Sequence, residues 1–172
     1  MENISIRKVS ANELEALREI SISTFIESFG ADNTEDNLNA YLQQSRSIEK
    51  LASEYNTAGS AFYFAILEQK PIGYLKINTG EAQIENRDKN SLEVERIYVL
   101  KEFQNFKVGQ LLLDAAIRIA RDIHCEFIWL GVWEHNLRAI KFYERNGFSF
   151  FGKHEFMLGL DPQTDLLMKK EV

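Results

Sequence analysis

In one predicted strand near the middle of the chain, the apolar residues switch from even-numbered to odd-numbered positions. Leu92 and Val94 fall on one parity, whereas Ile97 and Val99 fall on the other. Because side chains alternate between the two faces of a strand, a regular strand cannot hold all four on one face. An extra residue near Glu95, forming a β-bulge, would bring them together, and bulges are frequent beside active sites. The alternative is a strand buried on both faces, in which parity carries no information.

A loop over residues 101–108 and the start of a helix follow this strand. Helical spacing of apolar residues begins there, at Leu111, Leu112, Ala115, Ala116 and Ile119. Gly109 lies at the helix start, where a missing side chain lets a ligand reach free N–H groups and the helix dipole favours an anion. Lys107 adds a positive charge. No GxxxxGK(S/T) or GxGxxG motif is present, so an ordinary loop is the alternative to a phosphate-binding one.

A second run with chemical content is N-x-x-A-I-x-F-Y-x-x-x-G-F, from Asn136 to Phe148. On a helix, Asn136, Ile140 and Tyr143 fall close to one face. Gly147 is expected to end that helix before a strand begins at Phe148. The alternative is an amphipathic helix whose tyrosine is simply part of the core.

The other segments predict a mixed α/β fold, and the length of 172 residues predicts a single domain over residues 1–172. Strands are expected at 3–9, 61–67, 72–77 and 126–132, and helices at 14–25, 34–44 and 47–55. The hairpin turn lies at residues 68–70. Residues 80–90 are polar and are expected to form a mobile loop.

Composition excludes several classes of protein. A net charge of −6 disfavours non-specific binding of nucleic acid. It would mildly attract a cationic substrate, but an acidic balance is common for solubility alone, which is the preferred explanation. The single cysteine, Cys125, allows no internal disulfide and no metal cluster, and its apolar surroundings predict burial. No signal peptide and no apolar run of membrane length is apparent, so a cytoplasmic protein without a membrane partner is expected.

The two runs together resemble the GCN5-related N-acetyltransferases, whose acetyl-CoA loop reads Arg or Gln, two residues, Gly, one residue, then Gly or Ala. Gln104 matches the first position and Gly109 the last, whereas Lys107 replaces the middle glycine. The segment from Asn136 to Phe148 is similar to the second CoA motif of the same family. The resemblance implies a mixed, mostly antiparallel sheet with splayed central strands, helices on both faces and acetyl-CoA as cosubstrate, without a metal.

The resemblance also assigns residues to the cofactor. The strand backbone would pair with the pantetheine arm, the loop and helix start would hold the pyrophosphate, and the asparagine of the second motif would contact the cofactor. The implied binding residues are Ile97, Tyr98, Val99, Gln104, Lys107, Val108, Gly109, Gln110 and Asn136.

Direct transfer to an amine needs a base and an acid. Tyr143 matches the family tyrosine that faces the thioester sulfur and is predicted to protonate the leaving thiolate. Glu95 is the first candidate for the base and Glu93 the second, although both could be ordinary charges on a strand face. A bulge N–H could stabilise the oxyanion. Cys125 is a weaker, nucleophilic alternative that the adjacent His124 suggests.

A narrower resemblance concerns the acceptor. The segments SLEVERIY, IWLGVWE-x-N and QTDLLM are similar to the bacterial PaiA-type polyamine N-acetyltransferases, which implies spermidine or spermine as acceptor. Two alternatives stay open: another amine, such as a protein N-terminus or an amino sugar, and a non-catalytic CoA-binding regulator. The oligomeric state is also open, with a homodimer as one option.

Overall fold

The computed structural model describes residues 3–84, 90–158 and 161–172. Within these ranges, seven strands and five α-helices form the fold. The strands are β1 Ser5–Lys8, β2 Ser60–Leu67, β3 Lys70–Thr79, β4 Ser91–Val99, β5 Phe127–Trp133, β6 Ser149–Leu158 and β7 Asp161–Glu171. The helices are α1 Leu14–Phe29, α2 Glu35–Ser45, α3 Ile48–Tyr55, α4 Val108–Asp122 and α5 Leu137–Arg145.

The strands form one sheet in the order β1-β2-β3-β4-β5-β7-β6. Every neighbouring pair is antiparallel except β4 and β5, which are parallel. The mixed, mostly antiparallel sheet implied by the resemblance is therefore confirmed. The β2–β3 hairpin also matches its prediction, with Glu68 and Gln69 both at positive φ, as a tight hairpin turn requires.

The two parallel strands separate along their length. Ser91–Val94 pairs with Phe127–Leu130, but no pairing continues to the ends of these strands at Val99 and Trp133 in the described part of the sheet. The splayed central strands are thus confirmed. Their separation leaves one edge of the second half of β4 without a strand partner.

The β-bulge in β4 is also confirmed. Lys76 pairs with Arg96 and Ile77 with Val94, so Glu95 is the extra residue. Beyond the bulge, the apolar side chains in the second half of β4 pack in the same core as those in the first half. That core contains Leu92, Val94, Ile97 and Val99. The other face of β4 is covered as well, since Glu93 is only 4% exposed. The two interpretations of the parity change are therefore compatible.

Helices cover both faces of the sheet. Helix α4 contributes its buried stripe to the core beneath Leu92 and Val94, and α5 packs against the same core through Ile140. Helices α1 and α3 cover the opposite face, where Leu17 and Leu51 are fully buried. Among the residues described above, no helix is both long enough and apolar enough to cross a membrane.

Two loop predictions need correction. The segment Lys101–Phe106 is a short 3-10 helix rather than an open loop. The predicted mobile loop begins with another 3-10 turn, Gly80–Ala82, and Gln83 behind it is 2% exposed and accepts a hydrogen bond from the Trp129 indole at 2.7 Å. That bond fixes the start of the segment, whereas residues 85–89 lie outside the described part.

Candidate active site

An open cleft of about 1090 Å³ lies where β4 and β5 separate. Helices α1, α4 and α5 and strand β7 complete its walls. Nearly all of the predicted site residues line it: Glu95, Ile97, Tyr98, Val99, Gln104, Lys107, Gly109, Gln110, Asn136 and Tyr143. The fold therefore brings both sequence motifs to one place.

Helix α4 presents its N-terminus to this cleft. Lys107 precedes it in the left-handed conformation, with φ 60° and ψ 18°. The Leu111 N–H bonds to the Lys107 carbonyl at 3.1 Å, so the earlier N–H groups of α4 fall in its unpaired first turn. A Cβ at Gly109 would meet only Val99, at 4.0 Å, so the backbone is open to a ligand. Backbone and charge here fit a pyrophosphate.

The Val108 side chain does not line the cleft, although Val108 lies within the acetyl-CoA loop motif. Its side chain is fully buried and packs in the core with Leu112, one helical turn further on. Only its backbone can therefore face a ligand.

Two separate sets of hydrogen bonds connect the segments around the cleft. The Gln104 side chain donates to the Val99 carbonyl at 3.3 Å and accepts from Arg138 of α5 at 2.7 Å. Gln110 donates to Asn146, just beyond α5, at 2.8 Å. These contacts join the loop, the bulged strand and the second motif. Arg138 was not among the predicted site residues, because its only signal is position within that motif.

Helix α5 carries the other predicted residues. The Asn136 side chain accepts a hydrogen bond from the Ala139 N–H at 3.1 Å and so caps the helix, while still lining the cleft. Tyr143 is 6% exposed and packs between the rings of Phe142 and Phe148. Burial raises the pKa of Tyr143 well above its usual range, so its hydroxyl keeps its proton at neutral pH.

Four buried charges surround the bulge. Arg96 binds both carboxylate oxygens of Glu54, at 2.8 and 2.9 Å, and lies 3.1 Å from Glu95. Lys76 pairs with Glu95 and lies 3.2 Å from Glu54. Burial alone would raise the pKa of Glu95, but Arg96 and Lys76 outweigh it, so the pKa of Glu95 is lowered. Sequence reasoning missed Glu54, which comes from α3.

Glu93 lies next to this cluster but not on the cleft wall. Asn78 donates to Glu93 at 3.0 Å and to Glu95 at 2.6 Å, and the Ile84 N–H also donates to Glu93 at 3.0 Å. Burial, with the nearby charge of Glu95, raises the pKa of Glu93 to about 7. The two candidate bases therefore share one amide and have opposite pKa shifts.

The end of the cleft beneath α1 and α2 is aromatic. Phe25 and Tyr41 stack at 4.8 Å, and the guanidinium of Arg46 lies over both rings, at 5.5 and 5.7 Å. Asp165 of β7 lines the same cleft, and burial raises its pKa to about 6. Sequence analysis assigned none of these side chains to the site, because they come from elements far apart in the chain; Asp165 was noted only as part of the QTDLLM segment.

Cys125 and two histidines complete the survey of reactive side chains. Cys125 is 8% exposed and packs in the core behind α4, where burial raises the pKa of its thiol, so it is not placed as a nucleophile of this cleft. His135 and His154, which had no predicted role, both line the cleft. Within the described ranges, no group of three or more His, Cys, Asp or Glu residues could hold a metal ion.

Comparisons with known proteins agree with this geometry. The acetyltransferase (GNAT) family model matches residues 14–148. The uncharacterised N-acetyltransferase of the pepI 3′ region of Lactobacillus delbrueckii subsp. lactis is 41% identical over 170 residues, covering 99% of this chain and 98% of that protein. Spermidine N(1)-acetyltransferase of Thermoplasma acidophilum is 26% identical over 176 residues, covering 98% of each.

A solved structure shows the same fold. The crystal structure of PaiA N-acetyltransferase from Thermoplasma acidophilum in complex with coenzyme A superposes with a TM-score of 0.79 at 24% identity, over 99% of both chains. The family model covers most of this chain, and the open start of α4 beside the splayed strands fits the family's cosubstrate. The chain therefore belongs to the acetyltransferase (GNAT) family and takes acetyl-CoA as its acetyl donor.

Proposed function

We propose that this protein transfers the acetyl group of acetyl-CoA directly to a primary amine within the cleft. The observation that carries the proposal is the placement of Tyr143 and Glu95 on the walls of one cleft that also contains the open N-terminus of α4. A donor-binding surface, a proton donor and a carboxylate thus face a common space, as acyl transfer to an amine requires.

The donor end would use backbone more than side chains. The N–H groups at Gly109 and Gln110, with the Lys107 charge, would hold the pyrophosphate, and the unpaired edge of β4 at Ile97–Val99 would bind the pantetheine arm. Asn136 and Gln104 border the same space. Bound acetyl-CoA supplies the acetyl group as a thioester.

The amine must lose a proton before it attacks. An alkylammonium has a pKa near 10.4, so deprotonation at pH 7 costs about 4.6 kcal/mol unless a base assists. Glu95 is the proposed acceptor of that proton because it lines the cleft. Glu93 is the alternative, since its pKa of about 7 suits a general base and Asn78 links it to Glu95.

Tyr143 would complete the transfer by giving its hydroxyl proton to the departing thiolate. Its raised pKa keeps that proton available. An N–H of the bulge at Glu95 would stabilise the negative charge that develops on the carbonyl oxygen. No covalent acyl-enzyme is needed in this scheme.

Polyamines are the first acceptors to test. The Thermoplasma acidophilum relative that aligns with nearly the whole chain is named spermidine N(1)-acetyltransferase. Glu27, Glu95 and Asp165 line the cleft and carry the charge that a polycation would need. The N-terminal amine of a protein is the second acceptor class, because the same reaction needs only an accessible amine.

The experiment is thiol release from acetyl-CoA, followed with spermidine, spermine, an N-terminal peptide and an aminoglycoside offered separately. We expect release that depends on at least one amine and scales with enzyme concentration. Release with polyamines alone would support the polyamine form of the proposal. No release with any amine, while calorimetry still detects acetyl-CoA binding, would indicate a CoA-binding regulator instead.

A further inference from the structure

Arg46 is a buried cation that has no carboxylate partner in the part of the chain that the structure describes. It follows the C-terminus of α2 and is 2% exposed, yet it lines the cleft. Its one hydrogen bond in the described structure is to the Ser45 carbonyl, at 3.1 Å, and its Nε has no partner. No carboxylate among the described residues lies within ion-pair distance of it.

This environment differs from that of the other buried arginine. Arg96 has two carboxylates, Glu54 and Glu95, within 3.1 Å. Besides the Ser45 carbonyl, Arg46 has the faces of Phe25 and Tyr41, at 5.5 and 5.7 Å, and no carboxylate among the described residues. Stacking on rings offsets part of the cost of burying a guanidinium, but a buried charge without an opposite charge remains strongly unfavourable. An anion entering the cleft would supply the missing partner.

From this arrangement we infer that the acetyl acceptor carries an oxyanion in addition to its amine, and that Arg46 binds that oxyanion. The inference rests on the proposed acetyl transfer and specifies its acceptor. A guanidinium matches the geometry of a carboxylate or a phosphate and is weakly hydrated, which suits an aromatic, buried position.

The amine of the same acceptor has partners in the same cleft. Asp165 and Glu95 both line it. Tyr98 lines the cleft too, and Arg46 and Asp165 act on the pKa of its hydroxyl in opposite directions, since Arg46 lowers it and Asp165 raises it. The cleft therefore offers a cation and carboxylates to one ligand, which fits a zwitterion better than a polycation. A polyamine has no group for Arg46, so this chain would differ from its polyamine-acetylating relatives.

The test compares acceptors with and without the anion, and kcat/KM is referred to the unprotonated amine because the anion also changes the pKa of the amine. Thiol release from acetyl-CoA is measured with L-amino acids and dipeptides against their C-terminal amides, with phosphoethanolamine against ethanolamine, and with spermidine. We expect kcat/KM to be about tenfold or more higher for the anionic member of a pair, the size of a charge-assisted hydrogen bond. Preference within the carboxylate or the phosphate pair identifies the oxyanion.

Arg46→Gln should bring the kcat/KM ratio between the anionic acceptor and its counterpart without the anion close to one, while leaving the KM for acetyl-CoA unchanged. Arg46→Lys should keep part of the preference for the anionic acceptor. Arg118→Gln, on the exposed face of α4, is the matched control and should keep the full ratio. The wild-type comparison needs no variant, so it decides even if Arg46→Gln does not fold.

The outcomes separate the two proposals. Equal rates within every pair, or a rate with spermidine above all anionic acceptors, would overturn the oxyanion inference and leave acetyl transfer standing. No thiol release with any amine would contradict acetyl transfer itself, and the inference with it. A preference that survives Arg46→Gln would remove Arg46 from the acceptor site.

Discussion

The ammonium of Lys76 pairs with the carboxylate of Glu95, the residue that forms the bulge of β4. Both side chains are almost completely buried, at 5% and 11% exposed. The candidate base is therefore held ionised by a fixed cation. The pair also ties the bulge to the neighbouring strand β3, so bulge geometry and charge depend on each other.

Loss of Lys76 should destabilise the fold strongly. Lys76→Met leaves Glu54 and Glu95 to share Arg96 as their buried cation, and removing one partner of a buried pair typically costs about 3–5 kcal/mol. Urea unfolding measures this change. Lys50→Met is the matched control, because Lys50 is 52% exposed and lies 3.6 Å from Glu54, so it should cost less than about 1 kcal/mol. Similar losses in both variants would contradict the role of the buried cluster.

Glu93 should make stability fall as pH rises. Its folded pKa of about 7 lies above the ordinary value of 4.5, so the folded protein favours the protonated form. That contribution is fully present below about pH 4.5 and is lost as pH rises through 7. Asp165 acts in the same direction, but only up to about pH 6. Between pH 6 and 8, Glu93→Gln should therefore flatten the decline in Tm, and an unchanged slope would refute the shift.

The same variant distinguishes the two candidate bases in kinetics. If Glu93 takes the proton, kcat/KM should rise through about pH 7, and Glu93→Gln should remove that inflection. If Glu95 is the base, its lowered pKa keeps it ionised across this range. Glu95→Gln should then lower the rate at every pH, and Glu93→Gln should leave the pH dependence of kcat/KM unchanged.

Gly109 tests the donor site. Gly109→Glu should abolish acetyl-CoA binding, because it places bulk and a negative charge at the proposed pyrophosphate position. Gly109→Ala is the control for folding, since its Cβ would meet only Val99, at 4.0 Å. Isothermal calorimetry with acetyl-CoA measures both. Unchanged affinity in the glutamate variant would show that the start of α4 does not hold the cofactor.

Lys107 carries a strained backbone where related loops have glycine. A side chain at φ 60° costs about 1–2 kcal/mol, and the greater unfolded-state entropy of glycine offsets about 0.5–1 kcal/mol of any gain. Lys107→Gly should therefore stabilise the fold by up to about 1 kcal/mol in urea unfolding, whereas Lys107→Ala should not. Both should raise the KM for acetyl-CoA, because both remove the charge. Equal stability of the two variants would argue against strain.

Local patterns predicted the local features of this protein. The parity change across Glu95 located the bulge, because strand periodicity depends only on adjacent residues. The helix over Leu137–Arg145 and the burial of Tyr143 were likewise readable from spacing. The burial of the Val108 side chain could also have been predicted, because Val108 lies four residues before Leu112 on the buried stripe of α4. Its place in the acetyl-CoA loop motif led instead to its assignment as a cofactor-binding residue.

Contacts between distant segments could not be predicted from the sequence. Glu54 and Arg96 are 42 residues apart and meet only because α3 packs over β4. Arg46 depends on the same kind of packing, between α1, α2 and the cleft. The pKa values of Glu93 and Glu95 are shifted in opposite directions by burial and by this cluster, which no spacing rule encodes.

The most direct test of acetyl transfer in this cleft is single-turnover acetylation by the Tyr143→Phe variant, together with its acetyl-CoA affinity. The variant removes one hydroxyl from a buried ring and keeps the packing between Phe142 and Phe148. We expect unchanged affinity and a transfer rate at least tenfold slower. Tyr55→Phe, outside the cleft, should behave as wild type. Full activity in Tyr143→Phe would contradict the proposed mechanism.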